Sequence, residues 1–373
     1  MPSPLRGVNI ATPFGRRAIV IGAGSFGTAV AVLLARGGLR TTLQARTTEQ
    51  AQRLSEDREN LVYLPGVEFP RELRVEHIGD GLARADYIFL GVPSRGLHEV
   101  IDGLSAAGLP PKAKVVSLAK GLVPPHGIAP TILLSRAFGA GRVGCVGGPA
   151  HAREMVHEGA GLVAASEDEE LAHGLAQVFI RAGVVCEQSN DAVGVELAGA
   201  AKNAAALAVG ATERHGLNAA GAAAGHIFAE VWRFAEPHGA KAESMIGLAG
   251  TGDLVATSLA PQSRNRRAGE LLGEGVPTGE IPARIGQAVE ALESVPLLAA
   301  ALERDGIDAP VTRGLAALIA GELPLEGWVG LVRTTVPPPA RFRGIAVDGA
   351  TGEGWRSRWR AWWLRPRARP RMP

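Results

Sequence analysis

The chain has 373 residues, a formal net charge of +2, and a composition that is 46% hydrophobic and 20% charged. This balance excludes a wholly disordered chain, and the length predicts two domains followed by a tail. Only Cys145 and Cys186 are present, which excludes a disulfide scaffold and a cysteine-based zinc site. We therefore expect a cytoplasmic protein with no metal centre.

The start of the chain contains no apolar segment typical of a signal peptide, and residues 1–16 are interpreted as an N-terminal extension. The uncharged run 18–35 is long enough to raise the question of a membrane helix. Gly22, Gly24, Ser25 and Gly27 interrupt it and favour a strand, a turn and a helix instead.

Short apolar runs typical of buried strands alternate with helical patterns through the first half of the chain. The runs are 18–21, 41–44, 87–92, 115–118, 143–146, 162–165 and 184–187. This alternation predicts an α/β, Rossmann-like domain with a mostly parallel sheet over residues 17–190.

The second half of the chain has helical patterns and no run typical of a strand. Asp191 is a candidate N-cap for an alanine-rich helix over 192–214. Further helices are predicted over 221–237, 264–272, 283–304 and 312–320. We expect an all-helical domain over residues 191–330.

Gly22-Ala23-Gly24-Ser25-Phe26-Gly27 follows the first strand and begins a helix. In this context the three glycines predict a tight turn, a close approach of backbone to a pyrophosphate, and close packing of helix on strand. The end of the second predicted strand carries no acid to bind the ribose hydroxyls of NAD. Arg46 stands there and suits a 2′-phosphate, which favours NADP over NAD; the alternative is a solvated loop residue.

Lys202 and Asn203 lie among small residues in the alanine-rich helix, which predicts that Lys202 is buried. A buried lysine needs a partner or a shifted pKa. Glu196 on the same helix and Asp253 further along the chain are both candidates. Ser263, as an N-cap followed by Arg264 and Asn265, offers backbone N–H groups, a guanidinium and an amide to a phosphate.

Several separate motifs in one order resemble the prokaryotic-type, NAD(P)-dependent glycerol-3-phosphate dehydrogenases over roughly residues 17 to 320. They are Gly22-Ala23-Gly24-Ser25-Phe26-Gly27-Thr28-Ala29, Asn60-Leu61-Val62-Tyr63-Leu64-Pro65-Gly66, Val92-Pro93-Ser94, Ser117-Leu118-Ala119-Lys120-Gly121-Leu122, Gly148-Pro149, Ala200-Ala201-Lys202-Asn203, Gly252-Asp253-Leu254 and Ser263-Arg264-Asn265-Arg266.

The resemblance implies a role for each matching residue. Lys202 corresponds to the catalytic lysine, assisted by Lys120 and Asp253. The implied substrate-binding residues are Lys120, Gly148, Ala150, Lys202, Asn203, Asp253, Ser263, Arg264 and Asn265. The implied cofactor-binding residues are Gly22, Gly24, Ser25, Phe26, Gly27, Arg46, Pro93, Lys120, Ala152, Arg264 and Glu290.

Two places depart from the family pattern. Ala150 and His151 stand where a hydroxyl residue and then a phenylalanine usually follow Gly-Pro, and the lost hydroxyl bond is worth about 0.5–1.5 kcal/mol. His151 is either a replacement donor or a surface residue. Ala291 stands at a glycine position after Glu290, where its methyl group is expected to disturb a backbone contact to the cofactor.

The implied reaction interconverts sn-glycerol 3-phosphate and dihydroxyacetone phosphate with NADP or NAD. Lysine has a pKa of about 10.4 and is already an acid at neutral pH, which favours ketone reduction for glycerophospholipid synthesis. Two alternatives remain open: a related 3-hydroxyacid dehydrogenase with the same two domains, and a non-catalytic NAD(P)-binding sensor. The family resemblance suggests a homodimer, and no nucleic-acid partner is expected because the body of the chain is acidic.

The tail, residues 331–373, is basic and rich in tryptophan. Trp355, Trp359, Trp362 and Trp363 have the spacing of one helix face, with arginines among them. This pattern predicts weak contact with a membrane surface. The alternatives are a tail packed on its own chain or on a partner subunit, or a disordered tail.

Overall fold

The computed structural model describes residues 15–337. Their elements belong to one compact unit that ends at Thr335. The predicted extension 1–16, apart from its last two residues, and the tail beyond residue 337 lie outside the described residues. The tryptophan-rich pattern therefore remains a sequence prediction.

Two sheets are present in the described part of the chain. Their strands are β1 (Arg17–Ile21), β2 (Arg40–Ala45), β3 (Glu59–Asn60), β4 (Leu64–Glu68), β5 (Leu73–His77), β6 (Tyr87–Leu90), β7 (Lys114–Ser117), β8 (Val143–Gly147), β9 (Gly161–Ser166) and β10 (Val185–Ser189). The eight-stranded sheet has the order β10-β9-β8-β7-β6-β1-β2-β5, and β3 pairs with β4. Only the β8–β9 pair of the large sheet is antiparallel, so the prediction of a mostly parallel sheet is confirmed.

The helices of the sheet domain are α1 (Ser25–Arg36), α2 (Thr48–Asp57), α3 (Leu97–Ala107), α4 (Pro130–Phe138), α5 (Ala152–His157) and α6 (Glu169–Arg181). The side chains of β1 explain why both faces of the sheet are covered. Ala18 and Val20 pack into the core under α1 and α6, whereas Ile19 and Ile21 pack into the core under α3 and α4. A strand with both faces buried is a continuous apolar run, which is the pattern seen in the sequence.

The second part of the chain contains helices and no strands among its described residues. They are α7 (Ala192–Thr212), α8 (Leu217–Ala235), α9 (Ala242–Ile246), α10 (Asp253–Leu259), α11 (Arg264–Gly273), α12 (Ile281–Ile285), α13 (Glu290–Arg304), α14 (Pro310–Ala320) and α15 (Leu325–Thr334). A π-helical turn, Leu248–Gly252, leads into α10. Helix α7 is central and almost entirely buried.

Glycines permit α7 and α11 to cross at backbone contact. A Cβ atom added to Gly210 would lie 2.1 Å from the carbonyl oxygen of Arg266, and one added to Gly269 would lie 2.0 Å from that of Leu207. Neither position has room for a side chain. The crossing therefore fixes the distance between α7, which carries Lys202, and α11, which carries Arg264.

Among the described residues, one segment, Ala192–His215, has the length and mean hydropathy of a membrane span. Its most apolar window is 89% buried inside the protein, as in the core helix of a globular domain. The run 18–35 forms β1, the glycine loop and most of α1, so the interpretation as strand, turn and helix is confirmed.

Most predicted elements are confirmed to within a few residues, including Asp191 as the N-cap of α7, where its side chain accepts from the Gly194 N–H. The predicted single helix over 283–304 is wrong: the chain breaks between α12 and α13 at Gly286, which has a φ of +77°. Strands β3, β4 and β5 and helices α9, α10 and α15 were not predicted. Strands β3, β4 and β5 contain charged residues or proline among few apolar ones, so they lack the apolar run that predicts a buried strand.

Candidate active site

The glycine loop after β1 has the shape that its spacing predicts. Gly22 has a φ of +113°, and an added Cβ would lie 2.5 Å from the carbonyl oxygen of Gly91. A Cβ on Gly27 would lie 2.1 Å from the carbonyl oxygen of Gly22, whereas one on Gly24 would meet nothing within 4 Å. The open side of Gly24 therefore leaves backbone accessible to a ligand.

The N-terminus of α1 is suited to an anion. Its first turn, which contains Ser25 and Phe26, has no acidic residue, and Gly24 at the N-cap supplies no side chain to satisfy the free N–H groups. Such a terminus attracts phosphate through its N–H groups and the helix dipole. These residues fit the pyrophosphate of a nicotinamide dinucleotide.

Asn60, on β3, holds the glycine loop from behind. Its buried amide donates to the carbonyl oxygen of Ala23 at 3.0 Å and to the Thr28 hydroxyl at 2.9 Å. The motif containing Asn60 was recognised in the sequence, but no role followed from it. The long-range contact to Ala23 is invisible to any local pattern.

The carboxyl ends of parallel strands lie at one edge of the sheet, and this edge gathers many of the predicted cofactor residues, whereas Arg264 and Glu290 lie at the starts of α11 and α13. The glycine loop follows β1, Arg46 follows β2, Pro93 follows β6 and Lys120 follows β7. Arg46 is exposed. Gln44, where a strand-end acid would suit NAD, is buried and donates to the carbonyl oxygen of Asp80 at 2.6 Å.

Lys202, Lys120 and Asp253 form one charged cluster. The carboxylate oxygen Oδ2 of Asp253 lies 3.0 Å from Lys120 Nζ and 3.3 Å from Lys202 Nζ. Asp253 and Lys202 are only 2% and 5% exposed. The expectation that Asp253 holds the Lys202 ammonium is met, and the alternative pairing with Glu196 is wrong.

Burial sets the electrostatics of this cluster. It lowers the pKa of Lys202 below the ordinary lysine value, and the nearby Lys120 charge lowers it further, while Asp253 opposes both. Burial by itself would raise the pKa of Asp253, but the ammonium groups of Lys120 and Lys202 outweigh burial and hold that pKa below its usual range. Two ammonium groups therefore share the Asp253 carboxylate, and the nearby Glu290 charge also opposes the lowering of the Lys202 pKa.

Lys120 connects this cluster to the cofactor side. Its Nζ donates to the carbonyl oxygen of Gly148 at 3.0 Å and lies 5.3 Å from the centre of the Phe26 ring. Gly148 has a φ of +100°, and an added Cβ would lie 2.3 Å from the carbonyl oxygen of Gly161. The loop after β8 can therefore reach the Lys120 ammonium only with glycine at position 148.

Amide groups fix the relative positions of α7, α11 and α13. Asn203 donates to the carbonyl oxygen of Lys120 at 2.9 Å and to Glu290 Oε2 at 3.3 Å. Asn265 donates to Asn203 Oδ1 at 2.8 Å and accepts from the Ala291 N–H at 3.2 Å. The structure accommodates the methyl group of Ala291, and the Ala291 backbone N–H keeps its hydrogen bond to Asn265.

The start of α11 agrees with the predicted cap. The buried Ser263 hydroxyl accepts from the Arg266 N–H at 3.3 Å. Arg264 is exposed, and its Nη1 donates to the carbonyl oxygen of Ala288 at 3.0 Å. The Asn265 amide is engaged with Asn203, so among the predicted phosphate-binding side chains Arg264 is the exposed one.

The loop that departs from the family pattern lies between β8 and α5. Ala150 is half-buried against the apolar core of the sheet domain, and Ala152 begins α5. His151 precedes α5, and its Nε2 is buried without a hydrogen-bond partner among the described residues. His151 is therefore partly exposed with one ring nitrogen buried, and no described contact gives it the lost hydroxyl's role.

Glu196 and Thr257 were not predicted as part of the site. Thr257, one turn after Asp253, donates its hydroxyl to Asp253 Oδ1 at 3.2 Å. Glu196 is buried on α7 and bonds Thr131 of α4. The position of Glu196 in an alanine-rich helix indicates from the sequence that this acid is buried. The sequence does not indicate that Thr131 is its partner.

Comparisons with known proteins agree with this arrangement. Two family models match, NAD-dependent glycerol-3-phosphate dehydrogenase N-terminus over residues 17–172 and the corresponding C-terminus over residues 191–329. Glycerol-3-phosphate dehydrogenase (NAD(P)+) of Deinococcus radiodurans is 40% identical over 318 residues, covering 83% of this chain and 92% of the relative. The enzyme of the same name from Chlorobium luteolum is 36% identical over 330 residues, with 86% and 98% covered.

A solved structure of glycerol-3-phosphate dehydrogenase from Coxiella burnetii has a TM-score of 0.81 and 30% identity, covering 87% of this chain and all of that one. A ketopantoate reductase from Ralstonia eutropha has a TM-score of 0.55 and 20% identity, which is a likeness of fold alone. The glycine loop, the buried lysine cluster and both family models lead to one conclusion: this chain belongs to the NAD(P)-dependent glycerol-3-phosphate dehydrogenases, a family of oxidoreductases.

Proposed function

We propose that this protein reduces dihydroxyacetone phosphate to sn-glycerol 3-phosphate with NAD(P)H, with Lys202 as the proton donor, and that the product enters glycerophospholipid synthesis. The observation that carries the proposal is the buried cluster in which Asp253 Oδ2 lies within 3.3 Å of both Lys202 Nζ and Lys120 Nζ. A cytoplasmic homodimer, with the tail in weak contact with a membrane surface, completes the proposal.

The bound dinucleotide supplies the hydride, and the chain's own groups bind the ketone and handle its proton. As the carbonyl of the substrate is reduced, negative charge grows on its oxygen. A buried ammonium stabilises such charge strongly because little water screens it. Lys202 Nζ then gives its proton to that oxygen, and Asp253 keeps the ammonium oriented.

The remaining groups position the substrate. The ammonium groups of Lys120 and Lys202 attract a dianionic phosphate ester. Arg264, with the N–H groups at the start of α11, anchors the phosphate. Holding the phosphate fixes the carbonyl beside Lys202, which removes much of the entropic cost of reaction.

Cofactor choice is the finer part of the proposal. Arg46 at the end of β2, with no acid at the strand end, supports NADP as the preferred dinucleotide.

The test is steady-state kinetics of the purified chain with dihydroxyacetone phosphate and each nicotinamide, comparing wild type with Lys202→Met. Loss of a general acid lowers kcat by about 10²–10⁴-fold, and we expect a fall in that range with the dissociation constant of NADPH within about twofold. Lys112→Met, at an exposed position, is the matched control and retains wild-type turnover. Near-normal turnover in Lys202→Met would remove Lys202 from this role.

A further inference from the structure

Glu196 is a buried acid on the same helix as Lys202, six residues earlier and therefore about 9 Å along the α7 axis. It is 5% exposed. Both of its carboxylate oxygens accept from the Thr131 N–H, at 3.2 and 2.9 Å, and Oε2 also accepts from the Thr131 hydroxyl at 2.6 Å. Thr131 is in the first turn of α4, so Glu196 joins α7 of the helical part to a helix of the sheet domain.

A second buried acid has the same local structure away from the site. Glu230 of α8 is 2% exposed and accepts from the Val311 N–H, the Thr312 N–H and the Thr312 hydroxyl at the start of α14. Capping a helix with a buried glutamate is therefore a general structural device in this chain. What distinguishes Glu196 is its surroundings.

A small cavity lies between Glu196 and the lysine cluster. Its volume is about 10 Å³, and its lining includes Glu196, Lys120, Asp253, Gly148 and Gly199. That volume is about the size needed for one water molecule, and a buried water requires two to four polar partners. Three lining residues have strongly polar side chains that can bind such a water, Glu196, Asp253 and Lys120, and apolar residues such as Val146 and Val195 complete the lining.

We propose that Glu196 is a positioning residue for ketone reduction, which fixes α7 against α4 and, through one water in this cavity, holds the Lys120–Asp253 pair. The inference rests on the proposed function. In this role Glu196 acts without touching the substrate or the cofactor. It acts by setting where α7 places Lys202 and how the Asp253 carboxylate is oriented between the two ammonium groups.

The ionisation of Glu196 makes this role testable by pH. Burial raises its pKa to about 7, although hydrogen bonds from Thr131 and Ser117 oppose the rise. The titratable groups around it are the Cys145 thiol on β8, and Lys120 and Asp253 across the cavity. The pKa of Cys145 is raised mainly by burial and further by the charges of Glu196 and Asp191. The ionised carboxylate accepts from all of its Thr131 donors, whereas the protonated acid loses an acceptor.

The experiment compares Glu196→Ala with Glu230→Ala, each measured for kcat, for KM of dihydroxyacetone phosphate and for melting temperature. Both variants lose a helix cap and are expected to melt at lower temperature. We expect the kcat of Glu196→Ala to be more than about fivefold below that of Glu230→Ala, with the two KM values within about threefold. A smaller difference in kcat overturns the proposal.

If Glu196→Ala does not fold, the Glu196→Gln variant tests the proposal instead. Glutamine keeps the side-chain volume of glutamate and one acceptor oxygen, but it cannot ionise. We expect the ratio of its kcat to that of wild type to fall between about pH 6 and about pH 8, as wild-type Glu196 ionises. The same ratio for Glu230→Gln stays constant. A constant ratio for Glu196→Gln overturns the proposal, whereas a wild type without ketone-dependent NAD(P)H oxidation overturns the proposed function itself.

Discussion

Replacing Gly269 by alanine tests whether the crossing of α7 and α11 sets the geometry of the site. Gly269 lies one turn after Asn265, and its contact residue, Leu207, lies one turn after Asn203. The methyl group would lie 2.0 Å from the Leu207 carbonyl oxygen, whereas ordinary contacts begin at 3.4 Å. The two helices must therefore separate by more than about 1 Å close to the Asn265–Asn203 hydrogen bond.

The magnitude follows from two opposing effects. Overpacking of this kind costs about 1–3 kcal/mol, and contact with backbone places this case at the upper end. Alanine in place of glycine inside a helix returns about 0.5–1 kcal/mol. We expect Gly269→Ala to lose about 2 kcal/mol of unfolding free energy. Because misplacement by about 1 Å can cost 10²-fold in rate, we also expect kcat to fall at least about tenfold.

Urea unfolding and steady-state kinetics of ketone reduction measure the two effects. The matched control is Gly225→Ala in the middle of α8, where an added Cβ meets nothing within 4 Å. That variant should gain about 0.5–1 kcal/mol and keep wild-type kcat. If Gly269→Ala were as stable and as active as Gly225→Ala, the helix crossing would not be the constraint on the site that we infer.

Three further predictions concern charge. Asp253→Asn removes a carboxylate that raises the Lys202 pKa, so this pKa should fall further. The decrease in kcat for ketone reduction with rising pH should then occur at lower pH than in wild type. A decrease at the wild-type pH would contradict this electrostatic coupling. Glu196 has a pKa raised from 4.5 to about 7, so the folded state holds a proton that the unfolded state releases, and wild-type stability should fall by about 3 kcal/mol between these pH values. Urea unfolding of Glu196→Gln, measured at several pH values, should show no such fall in unfolding free energy. If the variant lost stability with rising pH as steeply as wild type, the raised pKa would be contradicted. Arg46→Ala should weaken NADPH binding about tenfold, or about 1.4 kcal/mol, while NADH binding stays within twofold by fluorescence titration; an equal loss for both nicotinamides would exclude contact with the 2′-phosphate.

The sequence alone was sufficient wherever a signal is local or periodic. The glycine loop, with a strand before it and a helix after it, requires only neighbours within about a dozen residues. The same holds for Asp191 and Ser263 as N-caps, which the structure confirms. Burial of Lys202 was also predictable, because a helix that is almost entirely alanine, glycine and other apolar residues has no polar face to place in solvent. The order of the motifs then identified the family.

Only the tertiary structure decided which groups meet. Lys120, Lys202 and Asp253 are far apart in sequence, and the residues alone left both Asp253 and Glu196 as candidate partners of Lys202. The structure chooses Asp253 because the π-helical turn before α10 brings its carboxylate to α7, while Glu196 is engaged by Thr131. The gap between α12 and α13 likewise depends on one positive φ at Gly286. Such contacts arise from packing between distant segments, and helical or strand periodicity reports only which face is buried, not which residue lies against it.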